Sequence, residues 1–312
     1  MQKRKLGQSG PEVSLVGLGT NNFGRRIDLE ASRLVLDKAL DCGITLIDTA
    51  DAYGVGGASE EFLGVLLGPR RKDVVLATKF GLAVDGSGVP GQASRRYIMS
   101  AVEASLRRLK TDWIDLYQLH RPDPNTPIEE TLRALDDLVK SGKVRFIGCS
   151  NLSAAQLGGA LTVSERHRLA SFVTCQDEYN LLSRDLEGDR LPVMERHGLG
   201  LLPYVPLASG LLTGKYRHDA PLPPGTRLAN SARHVGRVLS DRNWRIVEAL
   251  RAFAAQRGRT LLELAMSWLA SRPYVPSIIA GATKPEQVEQ NIAAVGWQLS
   301  PPELAEIDRI TL

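Results

Sequence analysis

The chain has 312 residues and a mass of 34.0 kDa, which suffices for one large α/β domain spanning residues 1–312. Its net charge of +4 and pI near 9.0 suit an anionic small molecule, but the basic residues are scattered and predict no nucleic-acid-binding surface. No apolar run approaches the roughly 20 residues of a membrane span, and the polar N-terminus lacks the apolar core of a signal peptide, so a cytoplasmic location without membrane contact is predicted.

Strand-like and helix-like patterns alternate along the chain. A short hairpin is predicted at residues 3–6, with its turn at Gly10 and Pro11. Eight strands follow, predicted over residues 13–19, 45–48, 74–79, 114–120, 144–149, 172–175, 200–205 and 275–280. Helices are predicted over residues 29–42, 59–67, 95–109, 128–141, 154–167, 189–197, 242–257, 261–271 and 285–295.

This alternation predicts a (β/α)₈ TIM barrel with a short N-terminal β-hairpin and extra C-terminal helices. The helix boundaries agree, because Ser94 precedes one helix while Gly43, Gly142 and Gly198 each follow one. The alternative is an open doubly wound sheet, which would call for a GxGxxG turn after the first strand. Residues 17–24 instead spell GxGxxxxG and lead to no immediate helix. The barrel is therefore preferred.

Four polar residues stand at or just after predicted strand ends: Asp48, Tyr53, Lys79 and His120. The C-terminal strand ends of a barrel converge on one face, so these side chains are expected to be neighbours. Taken singly, an Asp–Lys pair is often structural, and an isolated Tyr or His usually packs or caps. Together, a carboxylate, a phenol, an ammonium and an imidazole predict a proton-transfer site.

The sequence around these positions resembles the aldo-keto reductase family, in its bacterial branch. The resemblance covers essentially the whole chain and is carried by residues 46–54, Ser59, Glu60, Lys79, 115–120, 148–151, Gln176 and 204–215. It implies an NADP-dependent oxidoreductase that reduces aldehydes or ketones to alcohols, or runs in reverse on alcohols. It also implies that Asp48, Tyr53, Lys79 and His120 are the catalytic tetrad.

The chemistry of a carbonyl reductase explains these residue types. Tyr53 is the natural acid, although a free phenol has a pKa of about 10 and gives up its proton reluctantly. An adjacent Lys79 ammonium is expected to lower that pKa, and Asp48 to keep Lys79 charged and fixed. His120 is expected to hydrogen-bond and orient the carbonyl oxygen. The hydride must come from a nicotinamide, because no side chain supplies one.

The resemblance also implies a set of cofactor contacts. They are Gly19, Thr20, Asn21, Asp48, Ser150, Asn151, Gln176, Tyr204, Pro206, Leu207, Ala208, Gly210, Lys215, Gly281, Thr283, Lys284, Gln287 and Asn291. Ser150 and Asn151, helped by Gln176, resemble the group that binds the nicotinamide carboxamide, and Tyr204 resembles the ring that stacks on it. Small residues over 206–210 would let backbone N–H groups approach a pyrophosphate.

The choice between NADPH and NADH depends on residues 281–291, where the chain departs from the commoner family pattern. Many members have a Lys or Arg followed by Ser, and a later Arg, to hold the adenosine 2′-phosphate. The matching residues here are Gly281, Ala282 and Gln287. Thr283 and Lys284 at a helix N-terminus still suit a phosphate. NADPH is therefore predicted, with NADH as the alternative and a modest preference between them.

Loops are expected to form the substrate pocket for a small carbonyl or alcohol. Residues 21–26, 81–92 and 121–125 are predicted as its walls, with Phe23 facing the substrate. The connection over residues 208–240 is long enough to act as a lid over the cofactor.

Two other functions are weighed against the reductase. One is a nicotinamide-binding regulatory subunit similar to the β subunits of voltage-gated potassium channels, which have the same barrel. The other is a Schiff-base aldolase with Lys79 as nucleophile, although Asp48 would disfavour the neutral amine that this chemistry needs. No metal site is predicted, because Cys42, Cys149 and Cys175 are widely spaced in apolar segments and favour buried free thiols.

Overall fold

The computed structural model describes residues 1–82 and 92–312. A two-stranded antiparallel hairpin comes first, made of β1 (Lys3–Lys5) and β2 (Glu12–Ser14). Eight strands follow, namely β3 (Val16–Gly19), β4 (Leu46–Asp48), β5 (Val75–Phe80), β6 (Ile114–Leu119), β7 (Val144–Ser150), β8 (Phe172–Glu178), β9 (Gly200–Tyr204) and β10 (Ile278–Gly281).

These eight strands form one parallel sheet in the order β10-β3-β4-β5-β6-β7-β8-β9. The two ends of the sheet meet where the Leu201 N–H in β9 donates to the carbonyl oxygen of Tyr274, in the segment that leads to β10, at 2.8 Å. The sheet is thus a nearly closed barrel, and the predicted (β/α)₈ fold with its N-terminal hairpin is confirmed.

Helices surround the barrel. They are α1 (Leu29–Asp41), α2 (Ala58–Leu66), α3 (Arg95–Leu109), α4 (Ile128–Lys140), α5 (Ala154–His167), α6 (Leu186–Arg196), α7 (Ala232–Val238), α8 (Asp241–Ala255), α9 (Leu261–Ala270), α10 (Pro285–Ala293) and α11 (Pro301–Thr311). Short 3₁₀ helices occur at Gly68–Asp73 and Ala208–Thr213. Over the described part of the chain, no helix combines the length and the apolar character needed to cross a membrane.

Local sequence signals explain where several helices begin and end. The Ser94 hydroxyl accepts a hydrogen bond from the Tyr97 N–H at 3.4 Å and caps α3, as predicted. Gly43, Gly142 and Gly198 follow α1, α4 and α6 with φ angles of 82°, 77° and 66°. These left-handed angles end a helix at little cost only at residues without a Cβ atom.

The structure corrects two predicted strands. The strand expected over residues 13–19 is divided at Leu15, because β2 pairs with β1 while β3 pairs with β4 and β10. The last strand begins at Ile278 rather than at residue 275, since the Val275 N–H bonds to the Arg272 carbonyl oxygen and completes a turn. Helix α7 lies inside the connection predicted over residues 208–240.

The core has two layers, separated by the barrel wall. A large cluster fills the space between the strands and the helices, and a smaller one fills the barrel interior. Leu6 and Val13 of the N-terminal hairpin segment belong to the interior cluster and are fully buried. The hairpin therefore plugs the N-terminal end of the barrel, which leaves the C-terminal strand ends to form a site.

Candidate active site

A buried ion pair between neighbouring strands lies at the C-terminal end of the barrel. Asp48 ends β4 and Lys79 is the penultimate residue of β5, with 2% and 0% of their surfaces exposed. The Lys79 Nζ donates to the two Asp48 carboxylate oxygens at 2.8 and 2.7 Å, and to the Thr49 carbonyl oxygen at 2.8 Å. Three acceptors therefore fix the position of the ammonium group.

The surroundings keep this pair ionised. Burial by itself lowers the pKa of Lys79, but the Asp48 carboxylate and Tyr53 outweigh burial, and the pKa is raised. Asp48 Oδ1 also accepts hydrogen bonds from the side-chain amides of Gln176, at 2.8 Å, and Gln118, at 3.3 Å. A raised pKa disfavours the neutral amine of a Schiff-base nucleophile, which argues against the aldolase alternative.

Tyr53 lies on the loop after β4, which folds back over the ion pair. The Asp51 N–H donates to the Lys79 carbonyl oxygen at 3.1 Å, and the Tyr53 N–H donates to that of Ala50 at 3.1 Å. These bonds place the Tyr53 hydroxyl 3.5 Å from the Lys79 Nζ, with the Nζ 4.9 Å from the ring centroid. The phenol and the ammonium therefore interact directly.

The pKa of Tyr53 differs from the sequence-based expectation. Burial raises it, and Asp48 adds to the rise, while Lys79 acts in the opposite direction. The influence of Lys79 thus has the predicted sign, but desolvation is the larger effect. In this structure the phenol holds its proton at neutral pH, which is the state required of an acid.

His120 follows β6 and completes the group of four. Its ring centroid lies 5.7 Å from that of Tyr53, edge to face at 78°. Burial, followed by the charges of Lys79 and Arg121, lowers the pKa of His120 well below its usual range, so the imidazole is neutral at neutral pH. Its Nδ1 is buried and has no hydrogen-bond partner among the described residues. The structure therefore brings all four predicted residues together.

Next to His120, the ends of β7 to β9 form a polar corner. Asn151 adopts a left-handed φ of 61°, and its N–H donates to Asp177 Oδ1 at 3.1 Å. Its side-chain amide donates to the Ser150 hydroxyl at 2.8 Å and accepts from the Tyr204 hydroxyl at 2.7 Å. The Ser150 hydroxyl in turn donates to the Gln176 carbonyl oxygen at 2.6 Å. These contacts orient the polar corner before a ligand arrives.

A cavity of about 750 Å³ opens over these residues, a size typical of cofactor and ligand sites. The predicted site residues that line it are Gly19, Asn21, Asp48, Tyr53, His120, Ser150, Asn151, Gln176, Tyr204, Pro206, Leu207, Gly210, Lys215, Gly281, Thr283, Lys284, Gln287 and Asn291. Thr20, Lys79 and Ala208 do not line it. Lys79 lies behind Asp48, Thr20 donates its hydroxyl to the Asp48 carbonyl oxygen at 3.0 Å, and Ala208 is buried.

The segment after β9 has an unusual backbone. Val205, Ala208 and Ser209 have positive φ angles of 52°, 46° and 58°, which are rare for residues with a side chain and cluster at functional sites. A Cβ atom at Gly210 would lie 3.2 Å from the Lys215 Nζ. Gly210 itself has a φ of 96°, which a residue without a Cβ atom adopts at little cost, and it lies beside this ammonium group.

The N-terminus of α10 follows β10 and also lines the cavity. The Gln287 side-chain oxygen accepts hydrogen bonds from the Thr283 N–H at 2.7 Å and from its hydroxyl at 3.2 Å. Lys284 is the N-cap residue and is exposed, and Pro285 is the first helical residue. This corner therefore offers one exposed ammonium and a helix N-terminus.

The predicted pocket walls are only partly as expected. Phe23 is fully buried in the core between the strands and the helices, so the expectation that it faces the substrate is wrong. Of the predicted wall over 81–92, residues 83–91 lie outside the described residues. Within the connection over 208–240, Pro224, Gly225 and the two residues after them line the cavity.

The structure adds residues that the sequence did not single out. Those lining the cavity include Arg26, Arg121, Thr213, Arg227, Arg237 and Gln290. Arg26 and Arg121 lie in loops predicted as pocket walls, so the sequence gave a weak indication that they line the cavity. Arg227 lies in a connection rich in Pro and Gly, where no periodic pattern shows which side chains turn inward.

Asp51, between Asp48 and Tyr53 in sequence, was also missed. It is 1% exposed, and neither carboxylate oxygen has a hydrogen-bond partner among the residues described. Burial, then repulsion from Glu60, raises the pKa of Asp51 to about 8, while Arg108 lowers it. Glu60 itself is satisfied, since its carboxylate accepts from Arg108 Nε at 2.8 Å. Asp51 is therefore largely protonated at neutral pH.

Comparison with known proteins gives a consistent result. The sequence profile of the Aldo/keto reductase family matches residues 15–311. A probable voltage-gated potassium channel subunit beta of Arabidopsis thaliana is 38% identical over 99% of this chain and 96% of its own length. L-glyceraldehyde 3-phosphate reductase of Escherichia coli strain K12 is 34% identical, over 99% and 92%. Aldo-keto reductase YhdN of Bacillus subtilis is 36% identical, over 99% and 93%.

Proposed function

The chain belongs to the aldo/keto reductase family, which generally uses NAD(P)H for oxidoreductase chemistry on carbonyl compounds. We propose that it reduces aldehydes or ketones to alcohols, with Tyr53 as the general acid. The observation that carries this proposal is the contact of Tyr53 with the buried Asp48–Lys79 pair at the floor of the cavity, 3.5 Å from hydroxyl to ammonium.

Tyr53 delivers the proton to the carbonyl oxygen in this mechanism. Burial keeps the phenol protonated until it is needed. As the proton leaves, the Lys79 ammonium stabilises the phenolate that forms, and Asp48 holds that ammonium in place. The ion pair is held in place and is shielded from water, so water screens the effect of its charges on the reacting oxygen only a little.

His120 positions the substrate. A neutral imidazole next to Tyr53 can hydrogen-bond the carbonyl oxygen without competing as a strong acid. The carbonyl oxygen is then held between the phenol and the imidazole, which favours the geometry of the transition state.

The residues of the cavity fit a nicotinamide dinucleotide. The polar corner of Ser150, Asn151 and Gln176 suits a carboxamide, and the same cavity is lined by glycines and by Lys215 and Lys284, which suit phosphate groups. A bound cofactor would supply the hydride. We assign NADPH as its preferred form, on the strength of Lys284 at the start of α10.

Absorbance at the nicotinamide band tests the proposal. The purified chain is mixed with NADPH or NADH and a panel of aldehydes and ketones, and oxidation of the cofactor is followed. We expect turnover with at least one carbonyl, faster with NADPH, and none when the carbonyl is omitted. Binding of cofactor without turnover on any substrate would overturn the proposal.

A nicotinamide-binding regulatory subunit is the second candidate, favoured by the 38% identity to a probable potassium channel subunit beta. Under that function the cofactor binds and is retained, and the chain acts through a channel protein. The two candidates differ in the carbonyl-dependent step, so the same assay separates them.

A further inference from the structure

Three arginines contribute positive charge to the cavity wall. Arg26, Arg121 and Arg227 line the cavity, and none of the three side chains has an ion-pair partner among the described residues. Arg237, which also lines it, pairs with Glu178. Arg26 and Arg121 are exposed and Arg227 is half-buried, so an anion that enters the cavity can reach their guanidinium groups.

The carboxylate charge along the described cavity wall is already paired with a cation. Asp48 is the one carboxylate residue found along the described cavity wall, and Lys79 neutralises it at 2.7 Å. The cavity therefore carries an excess of positive charge, and a concave site lined by one sign of charge concentrates ligands of the opposite sign.

Two of these arginines, Arg121 and Arg227, interact electrostatically with the reacting groups. Arg121 directly follows His120, and its charge reaches the ring, since it is one of the causes that lower the pKa of His120, after burial and Lys79. Burial lowers the pKa of Arg227, and the charge of Arg26 lowers it further. Tyr53 also acts electrostatically on Arg227.

The cofactor phosphates have cations of their own. Lys215 lies beside Gly210, in the segment after β9 with its positive φ angles, and Lys284 starts α10. The carbonyl carbon must lie at Tyr53 and His120 to be reduced. The loops that carry Arg26 and Arg121 line the same cavity, so they can bound the space left for the rest of the substrate.

We propose that Arg26 and Arg121 form an anion-binding wall that selects carbonyl substrates bearing a carboxylate or a phosphate group over neutral carbonyls of similar size. This inference rests on the proposed reductase function and names the substrate class of the same site. Each guanidinium can donate two parallel hydrogen bonds to a carboxylate or phosphate, which gives orientation as well as affinity.

Matched pairs of charged and neutral aldehydes test whether the anion-binding wall of the wild-type chain selects charged substrates. One pair is 4-oxobutanoate and butanal, and the other is glyceraldehyde 3-phosphate and glyceraldehyde. We expect kcat/KM to be roughly tenfold or more higher for the charged member of at least one pair, the scale of one hydrogen bond to a charged group. The pair that shows the preference tells carboxylate from phosphate.

The variants Arg26→Gln and Arg121→Gln remove one charge each and keep a polar side chain. We expect each to reduce the charged-to-neutral ratio of kcat/KM severalfold, mainly through KM of the charged aldehyde. Arg309→Gln, at an exposed residue of α11 that does not line the cavity, is the charge-matched control and should leave both ratios as in wild type. Circular dichroism checks that each variant folds.

The outcomes separate the inference from the proposed function. Equal kcat/KM for charged and neutral members overturns the wall and leaves the reductase intact. Weakened NADPH binding with an unchanged substrate ratio in the variants assigns the arginines to the cofactor and also overturns it. If no aldehyde is reduced, the proposed function fails, and calorimetric titration of the cofactor-bound chain with 4-oxobutanoate still decides whether the wall binds an anion.

Discussion

Two groups of residues around the same cavity are built in opposite ways. The proposed catalytic corner, made of Asp48, Tyr53, Lys79 and His120, lies at strand ends and in the loop after β4, where the ion pair is buried and fully hydrogen-bonded. The proposed phosphate corner, made of Lys215, Thr283 and Lys284, lies on a loop and a helix start, where Lys284 is exposed. Charges interact more strongly where water is excluded. Substitutions should therefore have large effects at the catalytic corner and small ones at the phosphate corner.

The largest loss of activity is expected from Tyr53→Phe. Removing the acid should lower kcat by about 10²–10⁴-fold, the usual contribution of general acid catalysis. Cofactor affinity, measured by fluorescence titration, should stay near that of wild type. Tyr274→Phe removes a half-buried hydroxyl away from the cavity and is the matched control. Single-turnover rates near wild type for Tyr53→Phe would show that another group donates the proton.

Lys79→Met tests the buried pair through stability as well as rate. The change leaves the Asp48 carboxylate buried without its counter-ion, which should lower the free energy of unfolding by about 3–5 kcal/mol. Turnover should also fall, because nothing then stabilises the phenolate. Urea unfolding and steady-state rates measure the two effects.

A double variant separates those effects. Lys79→Met combined with Asp48→Asn removes the unpaired charge, so we expect much of the stability to return while turnover stays low. Recovery of turnover together with stability would mean that Lys79 stabilises the fold but is not needed for catalysis.

Asp51 extends the comparison to a buried acid outside the cavity. Its folded-state pKa of about 8 lies above the usual 3.8, so between these values the folded chain binds a proton that the unfolded chain has lost. The contribution of Asp51 to stability therefore declines as pH rises through this window. In Asp51→Asn the decline should be absent, and its unfolding free energy should improve relative to wild type between pH 5 and pH 8.

Denaturant unfolding at several pH values measures that difference. The same substitution at exposed Asp41, at the end of α1, is the control. A wild-type-minus-variant difference that stays constant from pH 5 to pH 8 would show that Asp51 is ionised in the folded chain.

The smallest effect is expected at the phosphate corner. Lys284→Ala should weaken NADPH binding about fivefold, near 1 kcal/mol, because one exposed charge-assisted hydrogen bond is lost. NADH lacks the 2′-phosphate, so its affinity should hardly change. Fluorescence titrations of both cofactors measure this. Equal weakening of both would place Lys284 at the pyrophosphate or in the fold rather than at the 2′-phosphate.

Much of the catalytic corner could be predicted because strand ends are defined locally. Apolar runs that stop at Asp48 and Lys79 locate the ends of β4 and β5, and a parallel barrel then brings those ends together. Phe23 shows where that reasoning fails. It lies in a predicted wall loop, but it packs into the core, because burial of an aromatic ring depends on contacts with distant residues.

The sequence by itself determined the alternation of strands and helices, and with it the barrel, since hydrophobic periodicity and capping residues act over a few positions. It also determined which four polar residues would stand together. Only the tertiary structure decided their electrostatic state, including the raised pKa of Tyr53, and the inward position of Arg26, Arg121 and Arg227. The reason is physical: desolvation and loop direction depend on neighbours far away in the chain, which local patterns do not record.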